Sequence, residues 1–498
     1  MGFSTIDYAL LLVYLAAVAC FGIWAGRRQR DVRDYFLGGR SIPWPAVCFS
    51  VVAAETSTLT FISIPGLAYM TNLSFLQVTF GYLIGRVVVS LVLLPAYARG
   101  EVSTAYAFLE ARFGAKTRRF ASLVFLFTRL AADGVRLFAT AIPLKFILKV
   151  DYPVAIAILA AVAFAYTFAG GVRSVIWIDT VQMFIYIGGA LATAAIIVGH
   201  SKGTLGELFY ALLSQGKLHI FDLGFGKGFL QKAYTLPAGL IGGALLSMAS
   251  HGTDQLIVQR ILTTKSLADG RKALVGTGVL VIAQFALFLL VGALLYAHYA
   301  GASLATLGLT RSDEVFPYFI VQGLPSGVAG LVIAGLLAAA LSTLAGSMSS
   351  MASSVVFDLW RPAEVSARTR GGVRAGRVAT AGAALMLVLS ALLFMSSTRA
   401  VVETALSIAS FTYGGLLGTF LLGLLVRDAT QEDALAGFVA GILVMVTVIS
   451  LKLVAWTWYT MIGVLTTLAL GKLLTWLKGE KTIQQPPTKG TSQGTMSA

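Results

Sequence analysis

Apolar residues run through this chain in long blocks, separated by short stretches rich in polar residues, Gly and Arg. A helix of about 20 apolar residues crosses ~30 Å of hydrocarbon, and about thirteen blocks reach that length. Their approximate limits are 5–26, 45–70, 76–98, 120–146, 153–170, 175–198, 236–259, 273–298, 326–357, 377–396, 402–426, 432–452 and 456–476. The pattern predicts an all-α integral membrane protein with a single transmembrane domain over residues 1–477. The remaining residues, 478–498, are rich in Pro, Gly, Ser, Thr and Lys, a composition that predicts disorder.

Two of the blocks are interrupted. Ala53-Ala54-Glu55-Thr56-Ser57-Thr58-Leu59-Thr60 places a carboxylate and four hydroxyls inside the second span. Ser247-Met248-Ala249-Ser250-His251-Gly252-Thr253-Asp254 does the same to the seventh. An ionisable residue at mid-membrane costs about 2.5 to 3.5 kcal/mol on insertion scales, and it normally faces a bundle interior or an aqueous path. The two spans open two possible five-helix units, about residues 45–198 and 236–426. Each unit has an odd number of helices, so the second copy is inverted. Paired broken helices in inverted repeats point to a midplane binding site of a secondary transporter.

Composition agrees with a membrane location: 57% of the 498 residues are hydrophobic and 12% charged, with a mean hydropathy of +0.84. The net charge of +15 does not imply nucleic acid, because basic residues of membrane proteins collect in cytoplasmic loops. Loops after odd-numbered spans carry Arg27, Arg28, Arg30, Arg33 and Arg40, then Arg99, Arg112, Lys116, Arg118 and Arg119. Arg260, Lys265, Arg271 and Lys272 follow, then Arg361, Arg368, Arg370, Arg374 and Arg377. Loops after even-numbered spans are poor in Arg and include Asp151, Asp313, Glu314 and Glu403; the longest, about 199–235, is an exception with several Lys. The chain is therefore expected in the inner (plasma) membrane, with its N-terminus outside and its C-terminus cytoplasmic, and a monomer is the expected form. Met1–Asp7 has no basic stretch ahead of the first apolar run, which predicts a retained first helix rather than a cleaved leader. Cys20 and Cys48 lie in or beside apolar segments and read as core residues.

Oxygen ligands for a monovalent cation are available at the first break. An unwound turn exposes carbonyls without i+4 partners, and Ala53 and Thr56 are placed to offer them. On the ninth span, Ala339, Ser342 and Thr343 are three and four residues apart, hence on one helical face, and offer a carbonyl and two hydroxyls. Five uncharged oxygens from two helices suit a weakly held Na⁺. The competing reading is that the Ser and Thr bond back to i−4 carbonyls or allow close helix packing.

Several stretches, taken in order, resemble the sodium:solute symporter family, which includes bacterial sugar, sialic acid and proline carriers. They are Phe49–Ala53 running to Phe61–Pro65, Thr104–Phe113, Gly170–Gln182, Gly252–Arg260 and Ala338–Thr343. The resemblance covers roughly residues 5–430. It implies a five-plus-five inverted-repeat core of the amino acid-polyamine-organocation type, an outside N-terminus and alternating access driven by Na⁺, with no organic cofactor. It also implies that Ala53, Thr56, Ala339, Ser342 and Thr343 form the main sodium site. Asp179 matches a family aspartate near the sodium exit route; its alternative is a helix-end residue paired with a basic loop. Some members hold a second Na⁺ with two further hydroxyls, where this chain has Ala345 and Gly346. One Na⁺ per cycle is therefore expected.

The family places substrate between spans 2, 3, 4, 7 and 11. Candidate substrate-binding residues are Glu55, Ser57 and Thr60 on the second span, Gln77 on the third, Arg136 on the fourth, and Ser247, Ser250 and His251 on the seventh. Arg129, Asp133 and Arg136 share one helical face, so Asp133 can pair with either arginine. His251 either meets a solute hydroxyl or satisfies broken backbone. Glu55 is unusual for the family; it suits a polyhydroxylated or cationic solute and repels an anion unless Arg136 or a proton offsets it. Phe75, Phe80, Tyr82 and Tyr413 are candidate gating aromatics. The expected function is a Na⁺-coupled symporter importing a small polar solute, a sugar or related hydroxylated metabolite. The alternatives are a Na⁺-dependent carrier of a carboxylate or amino acid, and a non-transporting solute sensor on the same fold. No HExxH, triad-bearing GxSxG or metal-spaced histidine pattern points to an enzyme.

Overall fold

The computed structural model describes residues 4–478 apart from 26–28, 30, 100–101, 202, 225, 227, 361–369 and 396–400. Arg27, Arg28, Arg30, Arg361, Arg368 and the tail beyond Lys478 lie outside the described residues, as does the Glu403 side chain. The helices in chain order are α1 (Thr5–Ala25), α2 (Val32–Leu37), α3 (Trp44–Glu55), α4 (Thr58–Met70), α5 (Leu76–Arg99), α6 (Ala107–Phe113) and α7 (Ala115–Leu148). They continue with α8 (Tyr152–Gly199), α9 (Leu205–Ser214), α10 (Gly243–Gly252), α11 (Gln255–Ile261), α12 (Leu267–His298) and α13 (Val315–Gly323). The last are α14 (Val328–Ser354), α15 (Arg370–Phe394), α16 (Val401–Leu425), α17 (Gln431–Ser450) and α18 (Tyr459–Leu477). Among the described residues there is no strand.

Among the described residues, eight helices are long and apolar enough to cross a membrane, or nine if the bent pair α3/α4 is one span. The predicted thirteen differ from this count for identifiable reasons. The fifth and sixth spans are two helices joined without a loop in the 48-residue stretch α8, where the non-helical backbone of Gly171 breaks one from the other. Gly171 adopts φ +56°, and a Cβ there would lie 2.3 Å from the Tyr35 carbonyl oxygen. Only glycine meets both demands. The fourth span, α7, falls short on composition because it carries Arg129, Asp133 and Arg136. The seventh is divided between α10 and α11, each too short alone, and only the part Thr412–Leu425 of the eleventh, α16, lies among the described side chains.

Both predicted interruptions are present. The α3 ladder ends where the Thr56 N–H meets the Val52 carbonyl at 3.1 Å. Thr56 and Ser57 are extended, and the Ser57 hydroxyl caps α4 by accepting from the Thr60 N–H. The axis bends by 63° there. In the seventh span the break falls at Thr253–Asp254, the C-terminal edge of the expected window, and Asp254 caps α11 by accepting from the Leu256 N–H at 2.9 Å. A short polar side chain that can accept from the next helix's free N–H groups makes each restart.

Packing groups these pieces. Helices α3, α4, α5, α10 and α12 pack on one another; α14 lies chiefly along α8; α16, α17 and α18 pack together. The α5/α10 contact is backbone-close, since a Cβ on Gly81 or Gly85 would lie 2.2 or 2.3 Å from carbonyl oxygens of Gly239 or Ala244. Small residues spaced four apart allow this approach between membrane helices. Helix α14 is almost wholly buried and presents Ser342, Thr343, Ser347 and Ser350 inward.

The lysine-containing loop before the seventh span is also explained. Lys217 is buried and donates to the carbonyls of Tyr69 (2.7 Å) and Thr71 (3.0 Å). Its Nζ lies 3.8 Å from the centre of the Tyr296 ring. A cation at the C-terminal end of α4 answers the orphan carbonyls and helix dipole, and burial lowers its pKa.

Candidate solute and sodium site

The break in the second span and the middle of α14 face one another. Thr343 Oγ1 lies 3.2 Å from the Ala339 carbonyl oxygen and 3.4 Å from that of Ala54. Ala53, Thr56, Ala339, Ser342 and Thr343 are all buried. The Thr56 hydroxyl donates to the Val52 carbonyl (2.8 Å) and accepts from Gln284 Nε2 (2.7 Å). The Tyr186 hydroxyl is 3.0 Å from Gln284 Oε1 and 3.2 Å from Thr56 Oγ1. Gln284 on α12 and Tyr186 on α8 thus brace the unwound turn from two sides. Neither stood out in the sequence, where a lone amide or phenol in an apolar span carries little signal.

Ser342 donates to Asp179 Oδ1 at 2.7 Å. The second oxygen of Asp179 accepts from Ser50 Oγ (2.5 Å) and Arg260 Nη2 (2.9 Å). Asp179 is inside α8, not at a helix end, and its cation is not a loop residue. Arg260, counted above among cytoplasmic loop charges, is a buried residue of α11. That correction removes one charge from the orientation argument and gives it to the core.

On the opposite side of the break lies a second polar cluster. Glu55 Oε2 accepts from Arg86 Nη2 at 2.5 Å and lies 3.5 Å from His251 Nε2. Arg86, on α5, was overlooked in the sequence, although a lone arginine in the span opposite Glu55 carries the same insertion cost as the glutamate. Ser250 Oγ is 2.8 Å from His251 Nδ1. Arg86 Nε and Nη1, Ser247 Oγ and His251 Nε2 are buried without a hydrogen-bond partner. Such groups are rare in folded proteins, and each calls for a water, ion or ligand.

Other candidates are engaged elsewhere. Gln77 donates to the carbonyls of Ser74 and Tyr234, both at 3.1 Å, and accepts from the Asp222 N–H. Its amide ties the loop ahead of the seventh span to α5, and it drops out of the solute cluster. Arg136 donates to Asp133 Oδ1 at 2.7 Å, so it is not the charge that offsets Glu55. Arg129 bonds to Asp254 and lies 3.6 Å from Asp133. Ser57 and Thr60 are occupied with capping α4, their hydroxyls 3.5 Å apart. Of the aromatics, Phe75 stacks on Phe285 with ring centres 5.1 Å apart, and Phe80 on Phe221 at 6.2 Å. Tyr82 is half-buried on α5. The Tyr413 hydroxyl donates to Asp254 Oδ2 (2.8 Å) and accepts from Arg129, tying α16 and α7 to the second break.

Two opposed broken helices, each carrying polar residues at mid-span, define a secondary transporter. The family can be named as well. The sequence model of the sodium:solute symporter family matches residues 35–441, and the chain belongs to that family. It is 28% identical over 475 residues to the sodium/sialic acid symporter NanT of Aliivibrio fischeri, covering 95% of this chain and 93% of that protein. It is 28% identical over 468 residues to the sodium/glucose cotransporter of Vibrio parahaemolyticus, covering 89% and 84%. Among solved structures, it matches a Na⁺-coupled sialic acid symporter, described as substrate-bound and outward-open with a novel Na⁺ site. That match has a TM-score of 0.86 and 26% identity, over 95% of this chain and 98% of the other. A nucleobase-cation-symport-1 family transporter, at 13% identity and TM-score 0.53, shares the fold alone.

Proposed function

We propose that this chain is a Na⁺-coupled symporter that imports a small, neutral, polyhydroxylated solute, a sugar or sugar-like metabolite. The single observation that carries the solute class is the Glu55–Arg86 pair with its unpartnered neighbours. The pair is neutral as a unit. It leaves donors on Arg86 Nε and Nη1 next to an acceptor on Glu55, and Ser247 and His251 add two more polar atoms. Vicinal hydroxyls, which donate and accept side by side, match that arrangement. A carboxylate drawn to Arg86 would have to share the guanidinium with Glu55. Two like charges at one buried site raise the cost steeply. The relatives named above are described as carriers of sialic acid and of glucose; the charge balance here favours the neutral kind of solute.

One Na⁺ would be held by the carbonyls of Ala53, Thr56 and Ala339 and the hydroxyls of Ser342 and Thr343. The Ala54 carbonyl beside Thr343 supports the approach of the two helices. Ion and solute then share one unwound turn. A cation that fixes the carbonyl side also fixes the direction of Glu55, and the coupling is reciprocal. Asp179, bonded to Ser342, stands on the path by which Na⁺ leaves. The repeats would run over about 45–198 and 236–426, with the N-terminus outside, the C-terminus cytoplasmic and the protein acting as a monomer in the plasma membrane.

A thermal-unfolding screen of the purified protein with and without Na⁺ tests this. Neutral sugars and polyols are expected to raise Tm more with Na⁺ than without, because a ligand at free concentration c that binds the folded state stabilises it by RT ln(1 + c/Kd), more when Na⁺ lowers Kd. Stabilisation by carboxylates or amino acids alone overturns the solute class, and equal stabilisation without Na⁺ overturns the coupling. Sodium-driven accumulation in proteoliposomes separates a carrier from a sensor.

A further inference from the structure

The loop ahead of the seventh span holds a helix that neither the ion nor the solute site uses. In α9 (Leu205–Ser214), Leu205, Phe209 and Leu213 are four residues apart and form one stripe, 55%, 37% and 63% exposed. Beside that stripe, Leu208 and Leu212 face the core, where α9 meets α12. Glu207 and Ser214, seven residues apart, share an exposed polar face. Tyr210, 73% exposed, lies one turn from both Glu207 and Leu213, at the border of the polar and apolar faces. A helix on a protein surface in water needs one apolar face, turned to the core. This helix has two.

The second apolar face points to lipid. The span α8 carries exposed Phe184 and Leu191 on one side, a surface for hydrocarbon. Residues 200–204 alone separate the end of α8 from α9, a link that reaches at most about 20 Å. An apolar stripe, a polar face and a tyrosine at their border fit the boundary between acyl chains and headgroups. The one charged residue of α9 is Glu207, and it is engaged in a capping box with Thr204. Apolar burial, not attraction to anionic headgroups, is therefore what can hold this helix.

The end of α9 carries its position inward. Gly216 adopts φ +70°. Its N–H bonds to the Leu213 carbonyl at 3.0 Å, and the Lys217 N–H bonds to that of Leu212 at 2.9 Å. These two bonds make a Schellman turn, which fixes Lys217 relative to the helix. Lys217 in turn holds the Tyr69 and Thr71 carbonyls at the end of α4. The Leu73 N–H adds a bond to the His219 carbonyl at 3.1 Å. The other end of α4 is the break at Ser57.

We propose that α9 is seated in the lipid leaflet at the end of α8, whatever the headgroup charge, and that it anchors the far end of α4 through the Gly216 turn and Lys217. The bilayer surface is then a partner of the broken second span.

Fluorescence quenching tests the seat. The full-length protein, lacking Cys20 and Cys48, is labelled with bimane at Phe209→Cys or at Ser214→Cys and placed in phosphatidylcholine vesicles. Brominated acyl chains are expected to quench the label at 209, and aqueous iodide the label at 214, with or without added phosphatidylglycerol. Iodide quenching at 209, or no quenching there by either agent, overturns the lipid seat; the second outcome would mean a protein covers the stripe. Quenching by brominated chains only when phosphatidylglycerol is present overturns the apolar mode of binding. Deuterium uptake by residues 66–73 in the same vesicles tests the anchor. Phe209→Asp with Leu213→Asp, both on the surface, is expected to raise uptake there, as is Lys217→Met. Unchanged uptake in the surface pair overturns the anchor, and that reading stands even if Lys217→Met does not fold.

Discussion

At the scale of the residue, two buried arginines do opposite things. Arg260 spends all its donors inside the protein, whereas Arg86 keeps two nitrogens free beside Glu55. The first neutralises; the second is poised to recognise. Removing one partner of a buried ion pair costs about 3–5 kcal/mol, because the other charge stays uncompensated. Arg86→Met is therefore expected to lower Tm and abolish solute-dependent stabilisation. Arg86→Met with Glu55→Gln should regain most of the Tm but none of the solute response. A solute response preserved in the double variant would remove both residues from recognition. The sodium ligands make a separate prediction. Ser342→Ala with Thr343→Ala should erase the Na⁺-dependent stabilisation, read as a rise in Tm, which at a Na⁺ concentration of 100 times Kd amounts to about 2.7 kcal/mol. An unchanged Na⁺ response would place the ion elsewhere.

At the scale of the element, the chain relies on interruption. Three places where a regular helix would be cheapest are broken or bent: Thr56–Ser57, Thr253–Asp254 and Gly171. The first two expose backbone to a polar interior, which hydrocarbon tolerates only where protein or water lines the gap. The third redirects the chain from one helix into the next around Tyr35. Strained backbone of this kind costs about 1–3 kcal/mol for a residue with a Cβ, and the Tyr35 carbonyl adds a clash. Gly171→Ala is thus expected to lower the unfolding temperature in detergent without altering the number of Na⁺ bound; an unchanged Tm would mean the kink relaxes freely. The breaks were legible because polar residues in apolar blocks are costly. The exact restart at Asp254 was less so, because Ser247, Ser250 and Thr253 present equal capping chemistry and only packing against α5 and α14 chooses among them.

At the scale of the whole molecule, the proposed orientation rests on the Arg and Lys that remain in loops once Arg118, Lys217 and Arg260 are recognised as buried structural charges. In a background lacking Cys20 and Cys48, a cysteine at exposed Ser214 is expected to react with an impermeant maleimide from outside intact cells. One at exposed Lys265 should react only after permeabilisation. The reverse pattern would invert the proposed topology. The all-helical fold and the paired broken spans were readable from spacing, hydropathy and resemblance. Each depends on a local cost: apolar length, a charge in hydrocarbon, or a helical face. Which charges meet was not readable. Glu55 with Arg86 and Asp179 with Arg260 join residues 31 and 81 positions apart. Arg136, the arginine that the sequence offered to offset Glu55, bonds to Asp133 instead. The sequence alone determined that polar groups must be hidden at mid-membrane and which helices carry them. Only the tertiary structure decided their partners, because pairing across helices depends on how closely glycine-lined backbones approach and on which guanidinium finds room.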